Sequence, residues 1–208
     1  MHVTEHRDLA AFDERARDYE SGRHAQLHFE IVHRTLDIAL TVAPRPDRVL
    51  DVGCGTGYLL RTLADRLPEA AAFEGVDPAP TMIEVARVRA AEERADDARL
   101  GFHEGVAEHL PFESGTFDLL ISTTSFDHWV DQQAGLVECA RVLRPGGQLV
   151  LVDQFSVLMA PTLVGSRRGK ARTKRRATSL VSDAGFAELS WHHVYAVIIN
   201  GVTGRKAA

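Results

Sequence analysis

Cysteine, long apolar runs and charge of one sign are all scarce in this chain, and each scarcity removes a class of protein. No apolar stretch approaches the roughly 18 residues that a membrane-spanning helix needs. The opening Met1-His2-Val3-Thr4-Glu5-His6-Arg7-Asp8 is charged in both signs and has no apolar centre, so no secretory leader is visible and the chain reads as cytoplasmic. Two cysteines, Cys54 and Cys139, cannot make a disulfide framework. A formal net charge of −5 argues against general attraction to nucleic acid or to a membrane surface. There is no internal repeat, and 208 residues leave no room for a separate substrate domain, so residues 1–208 read as one domain.

What the chain does have is concentrated in Val49-Leu50-Asp51-Val52-Gly53-Cys54-Gly55-Thr56-Gly57-Tyr58. A β-branched apolar run reads as a buried strand, and it passes through three alternate glycines into the helical pattern Leu59 to Leu63. Glycines at the end of a first strand let the backbone turn sharply and approach a ligand closely. The dinucleotide fingerprint needs a third glycine where Tyr58 stands. Asp51 places a carboxylate just ahead of the loop, where it would repel a pyrophosphate and attract a sulfonium or an ammonium group. The ligand that fits is S-adenosylmethionine, with S-adenosylhomocysteine as its product. Asp77, twenty residues beyond Gly57, stands at the end of the second strand, where a carboxylate can chelate ribose hydroxyls.

Around this loop, strand and helix patterns alternate: strands near 48–52, 71–76, 99–104, 117–122 and 147–153, with helices over 57–67, 79–94 and 131–143. Residues 1–43 read as helical, and Ala43-Pro44-Arg45-Pro46-Asp47 breaks the chain before strand one. After residue 153 come a helix ending near Ala184 and two strands.

These segments resemble the class I S-adenosylmethionine-dependent methyltransferases, in particular the small-molecule group that includes the ubiquinone- and menaquinone-biosynthesis enzymes. The resemblance is carried by Val49 to Gly57, by Gly75-Val76-Asp77-Pro78-Ala79 with Met82, by Glu108-His109-Leu110-Pro111-Phe112 with Phe117-Asp118, and by Ala140 to Gly147. It implies an α/β fold: a Rossmann-like, seven-stranded, mostly parallel sheet with one antiparallel strand and helices on both faces. Residues 1–43 would form a helical lid, 48–153 the cofactor-binding core, and 154–208 a helix and a strand pair. The last strand would run antiparallel over Val197 to Arg205, with Asn200-Gly201 as a bulge rather than a hairpin turn.

The same resemblance sets the expected contacts. Backbone at Gly53, Cys54 and Gly55 would meet the methionine end, and Tyr19 on the lid would reach it from above. Pro78 is a further expected cofactor contact, and Met82 could pack against the adenine face but reads more readily as core filler. Relatives often carry an acid directly after the glycine matching Gly105, and here that position is Val106. Ala107 backbone and Glu108 are the substitutes, and Glu108 reads as well as a surface charge at a helix start.

Strand four ends in Ser122-Thr123-Thr124-Ser125-Phe126-Asp127-His128-Trp129, which should face the transferable methyl group. Asp127 and His128 form an acid–imidazole pair there, suited to removing a proton from an acceptor, or else His128 and Trp129 only cap the next helix and pack. His24 and His28 lie on one helix face, without the further ligands that a metal site requires. The run Arg167 to Arg176 holds seven basic residues and no acid. It reads as a solvated helix face, with an anionic acceptor or RNA phosphates as alternatives, and no interleaved aromatics to stack bases.

The expected activity is therefore methyl transfer to an O, N or C nucleophile of a small molecule by in-line displacement, in a monomer or homodimer without a bound metal. An RNA methyltransferase, a non-catalytic cofactor-binding regulator and a nicotinamide-dependent oxidoreductase are the rival readings.

Overall fold

The computed structural model describes residues 9–21, 25–94, 97–156 and 173–207. The elements run α1 (Leu9–Arg15), a 3₁₀ turn (Ala16–Asp18), α2 (Ala25–Val42), β1 (Arg48–Val52), α3 (Tyr58–Arg66), β2 (Ala72–Asp77) and α4 (Pro80–Glu93). They continue with β3 (Leu100–Glu104), β4 (Phe117–Thr123), a second 3₁₀ turn (Phe126–His128), α5 (Gln132–Val142), β5 (Leu143–Asp153), α6 (Lys174–Asp183), β6 (Phe186–Tyr195) and β7 (Ile199–Lys206). One sheet orders the strands β3-β2-β1-β4-β5-β7-β6. β1 to β5 pair in parallel, and β7 runs antiparallel to both β5 and β6.

The near-continuous apolar strands are explained by burial on both faces, because side chains alternate across a sheet. Leu50, Leu120, Leu149 and Leu151 join the core beneath α5 and α6. Val49, Leu119, Ile121 and Val150 join the opposite core, against Val32 and Leu36 of α2 and Leu60 and Leu63 of α3. A third, small cluster of Ala16, Ala79 and Met82, with Phe12 and Tyr19 against it, lies between the N-terminal segment and α4.

Helix starts follow their local chemistry. Pro80 occupies the first turn of α4, where its missing N–H costs nothing. Asp131 caps α5 by accepting from the backbone N–H groups of Gln133 and Ala134. Thr173 caps α6 through the Arg176 N–H.

Two expectations near the C-terminus need correction. β5 begins at Leu143 rather than at residue 147, because Leu143 already pairs with Phe117 across an irregularity between Phe117 and Leu119. Asn200-Gly201 is not a bulge. Both residues sit in the regular ladder of β7, paired with Asp153 and Val152 on one side and with His193 and His192 on the other. The extra residues fall instead on β6, between Ala187 and Ser190 and between His193 and Tyr195. A strand paired on both sides cannot accept an insertion without breaking two ladders, whereas an edge strand breaks only one.

Candidate active site

The sheet order reverses between β1 and β4, and a crevice opens there at the carboxyl ends of the strands. A partly open cavity fills it, in the place where ligands bind in such sheets. The loop after β1 forms its floor. Gly53 and Cys54 both donate to the Val76 carbonyl, at 2.7 and 3.1 Å, which locks the loop onto β2. Gly53, Gly55 and Gly57 have φ of +79°, +52° and +76°, a region in which side chains are strained. At Gly53 a Cβ would also lie 2.2 Å from Ser125 Oγ, and at Gly57 one would lie 2.5 Å from Phe102. At Gly55 the nearest atom to such a Cβ would be Met82 Sδ at 4.0 Å, so this residue turns an open backbone surface to the cavity.

Asp77 joins the two loops that border the floor. Its Oδ2 accepts from Gly55 N and its Oδ1 from Ala79 N, each at 2.9 Å. Asp51 lies behind the loop, 2 % exposed, and its Oδ1 has no hydrogen-bond partner among the described residues. Burial, reinforced by the Asp77 charge, pushes the Asp51 carboxyl up to about 8. The same burial and the same two carboxylates push the Cys54 thiol well up, so Cys54 serves as packing and backbone rather than as a nucleophile. Thr123 lines the cavity with a hydroxyl that also lacks a partner among the described residues.

The walls come from five places. Phe12 and Tyr19 belong to the N-terminal segment and His28 to α2. Pro78, Ala79 and Met82 lie at the head of α4, with Gly105 and Ala107 after β3. Thr124, Ser125, His128 and Trp129 follow β4. His128 meets Phe12 edge-on at 5.0 Å between ring centres, and His28 meets Tyr19 in the same way at 5.0 Å. Burial holds the His28 imidazole below its ordinary value, with Glu20 opposing, and burial together with Asp77 raises the Tyr19 phenol.

The expected site residues thus divide. Gly53, Cys54, Gly55, Asp77, Pro78, Met82, Ala107, Tyr19 and His128 line the cavity, whereas Asp51, Ser122, Val106, Glu108 and Asp127 do not. Ser122 Oγ lies 2.8 Å from Ser125 Oγ, which in turn donates to the Val52 carbonyl. Glu108 Oε1 accepts from the Asp131 N–H at 2.9 Å and thereby supports the start of α5. Asp127 is buried in the turn that carries His128. His24 and Arg167 to Arg172 lie outside the described residues, while Lys174 Nζ of the basic run rests 5.2 Å from the Trp191 ring centre.

Sequence reasoning missed two carboxylates. Asp153, at the end of β5, accepts from Asp127 N at 3.0 Å and from Gln154 N at 2.6 Å, and so supports the turn that presents His128. Burial pushes its carboxyl up to about 6 against the pull of those two N–H groups. The only available signal was its place at a strand end. Glu20, beside Tyr19, looked like any charge in a polar helix, yet it is buried against α3. Among the described residues no group of three or more His, Cys, Asp or Glu side chains is disposed to hold a metal ion.

Residues 49–147 match the family described as a methyltransferase domain. Over those residues, a little under half of its length, the chain is similar to a methyltransferase domain. A demethylmenaquinone methyltransferase of Thermus thermophilus is 42% identical over 120 residues, 58% of this chain and 52% of that protein. A malonyl-[acyl-carrier protein] O-methyltransferase of Geobacter sulfurreducens is 36% identical over 137 residues, 66% of this chain and 49% of that protein. The chain therefore spans about half the length of these curated relatives.

Two solved structures share the fold of the methyltransferase domain and its flanking elements. A Haloferax volcanii methyltransferase, in complex with the activator Trm112, superposes with a TM-score of 0.75 at 22% identity, covering 95% of this chain and 98% of that one. A Haemonchus contortus N-methyltransferase, bound to phosphomonomethylethanolamine and S-adenosylhomocysteine, gives 0.74 at 18% identity, covering 99% and 61%.

The residues present fit that cofactor. The open face of Gly55 lets backbone approach a ligand, the Asp77 carboxylate makes that part of the cavity negative, and a cationic ligand there would draw the buried Asp51 carboxyl toward its ionised form. Such a site favours a ligand with cationic groups over one with a pyrophosphate.

Proposed function

We propose that this chain moves the methyl group of S-adenosylmethionine onto an O, N or C nucleophile of a small molecule. The observation that carries the reading is the Asp77 carboxylate, with the buried Asp51 behind it, at a glycine loop whose open face borders the cavity. When bound, the cofactor supplies a methyl group already activated on a sulfonium. The remaining work belongs to the chain.

Gly53, Cys54 and Gly55 offer backbone to the methionine end, and the positive charge of a bound cofactor would favour the ionised form of Asp51 behind the loop. Asp77 keeps lone pairs for ribose hydroxyls while it holds Gly55 and Ala79. Pro78, Met82, Gly105 and Ala107 form the apolar adenine wall. Phe12, Tyr19 and Trp129 exclude water and align the acceptor, and alignment alone supplies a large part of such a rate enhancement. A ring nitrogen of His128 takes the acceptor's proton as the new bond to carbon forms. Asp127, held by its backbone N–H to Asp153, fixes the turn that presents that imidazole. Residues 1–43 act as a cover, residues 48–153 as the core, and the protein works in the cytoplasm as a monomer or homodimer.

Calorimetry tests the cofactor assignment. S-Adenosylhomocysteine should bind in the micromolar range and NAD should not. Asp77→Ala, checked for a native circular dichroism spectrum, should weaken binding by about 1.5–3 kcal/mol, the order of a hydrogen bond to a charged group. Unchanged affinity in the folded variant would remove Asp77 from the site. Methyl-labelled cofactor incubated with host extract should then yield a labelled small molecule. A label found only in RNA would overturn the acceptor class.

A further inference from the structure

The N-terminal segment that supplies Phe12 and Tyr19 to the cavity is held down by charge as well as by packing. Glu20, directly after Tyr19, has a side chain only 8 % exposed, and its carboxylate meets Arg61 of α3, which is 3 % exposed. Arg61 Nη2 donates to both Glu20 oxygens, at 3.0 and 2.9 Å. Thr56, in the glycine loop, donates its hydroxyl to Glu20 Oε1 at 2.5 Å. Arg61 Nη1 donates to the Thr56 carbonyl at 2.5 Å, and its Nε reaches Glu93 at the end of α4 at 2.8 Å. Arg89 of α4 adds a longer contact to Glu20 at 3.4 Å. Further up the segment, Asp13 Oδ1 accepts from Thr81 N at 3.0 Å.

We propose that the Glu20–Arg61 pair, with Thr56 as its third member, is a latch that closes the N-terminal segment over the cofactor cavity, so that cofactor exchange requires its rupture. The inference rests on the cofactor reading above. Three features carry it. Glu20 ties the cover to a residue of the ligand-holding loop, since Thr56 itself lines the cavity. Both charges are withdrawn from water, so separation leaves Arg61 in a buried position without its full complement of acceptors, which is costly. The packing beneath the cover, Ala16 on Ala79 and Met82, is small and separate from the two main cores, so the latch is a large share of what holds the cover closed. While closed, the latch hinders entry and departure of the ligand alike.

The test is exchange kinetics of S-adenosylhomocysteine by stopped-flow fluorescence, with Trp129 in the cavity wall as reporter. Glu20→Gln keeps the size and one acceptor but removes the charge. Its association and dissociation rates should both rise about tenfold or more, the scale of a lost charged hydrogen bond. Thr56→Val, a milder change, should shift both rates in the same direction. Rates in both variants within about twofold of the native protein would overturn the latch.

A second measurement is independent of the cofactor. Arg15 and Arg17 are exposed on the cover, and trypsin should cut there about tenfold faster in unliganded Glu20→Gln than in the native protein. Equal cleavage rates overturn the latch whatever binds. Faster cleavage in a protein that binds no S-adenosylhomocysteine would overturn the cofactor reading and leave the cover's latch standing.

Discussion

At the scale of single residues, the signature positions separate into those that face the ligand space and those that hold the frame. Phe117-Asp118 is part of the family pattern, yet Asp118 works at the far end of the sheet. Its Oδ2 accepts from Asp47 N and Arg48 N at 2.7 and 2.8 Å, and its Oδ1 meets Arg144 at 2.6 Å. His128 and His28 both face the cavity, from different walls, so either imidazole has access to an acceptor. His128 is the better placed of the two, since it follows β4 and has Asp127 and Asp153 around its turn. His128→Ala should leave S-adenosylhomocysteine affinity nearly unchanged and lower kcat by roughly 10²–10⁴-fold, with loss of the acidic limb of the pH profile. His28, depressed by burial, would give a limb at lower pH. If only His28→Ala removes the limb, the base has been assigned to the wrong wall.

At the scale of elements, the glycine loop and α3 form one unit. Gly57 precedes α3 with a left-handed backbone, and its missing side chain makes room for Phe102 of β3 and for Ala86 of α4. Gly57→Ala therefore meets backbone strain and a steric conflict together. The first costs about 1–2 kcal/mol and the second typically about 1–3 kcal/mol. Urea denaturation should show a loss near the sum of the two, and a loss below about 1 kcal/mol would mean that α3 shifts freely and the loop is softer than its geometry implies. Gly55→Ala offers a contrast: its φ is also positive, but its Cβ would enter the cavity. That change should weaken ligand binding more than it disturbs packing.

Across the whole molecule, two buried carboxyls shape the response to pH. Asp51 titrates at about 8 and Asp153 at about 6 in the folded protein, each raised chiefly by burial from an ordinary value of 3.8. Between pH 4 and pH 8 the folded state therefore holds protons that the unfolded chain has released. Their contribution to stability is fully present below about pH 4 and is lost as pH rises through the folded values. Other groups act in the same interval, and His28, shifted downward, acts in the opposite sense. The informative quantity is thus the difference between native protein and Asp51→Asn. Without ligand, the gap in Tm should move in favour of the variant as pH rises from 5 to 8. A gap independent of pH would mean that Asp51 is ionised throughout. Among the described residues no helix is long and apolar enough to cross a membrane.

The order of strands and helices, the loop and its approximate ligand class were written in the sequence, because each depends on local chemistry. Apolar alternation marks a buried strand, glycines permit a positive φ, and a proline or an aspartate starts a helix wherever the chain places it. The site beyond the loop was written only in part. His128 and Asp77 were readable as polar residues at strand ends. Asp153, Glu20 and Arg61 were not, since an isolated Asp, Glu or Arg has no pattern that separates a solvated charge from a buried one.

Tertiary structure alone brought residue 20 against residue 61, pointed Glu108 toward the start of α5, and moved the expected irregularity from Asn200-Gly201 to the edge strand β6. The physical reason is the same each time. Propensity acts over a few neighbours, whereas desolvation and ladder pairing are settled by whatever the fold packs alongside, tens of residues away in the chain.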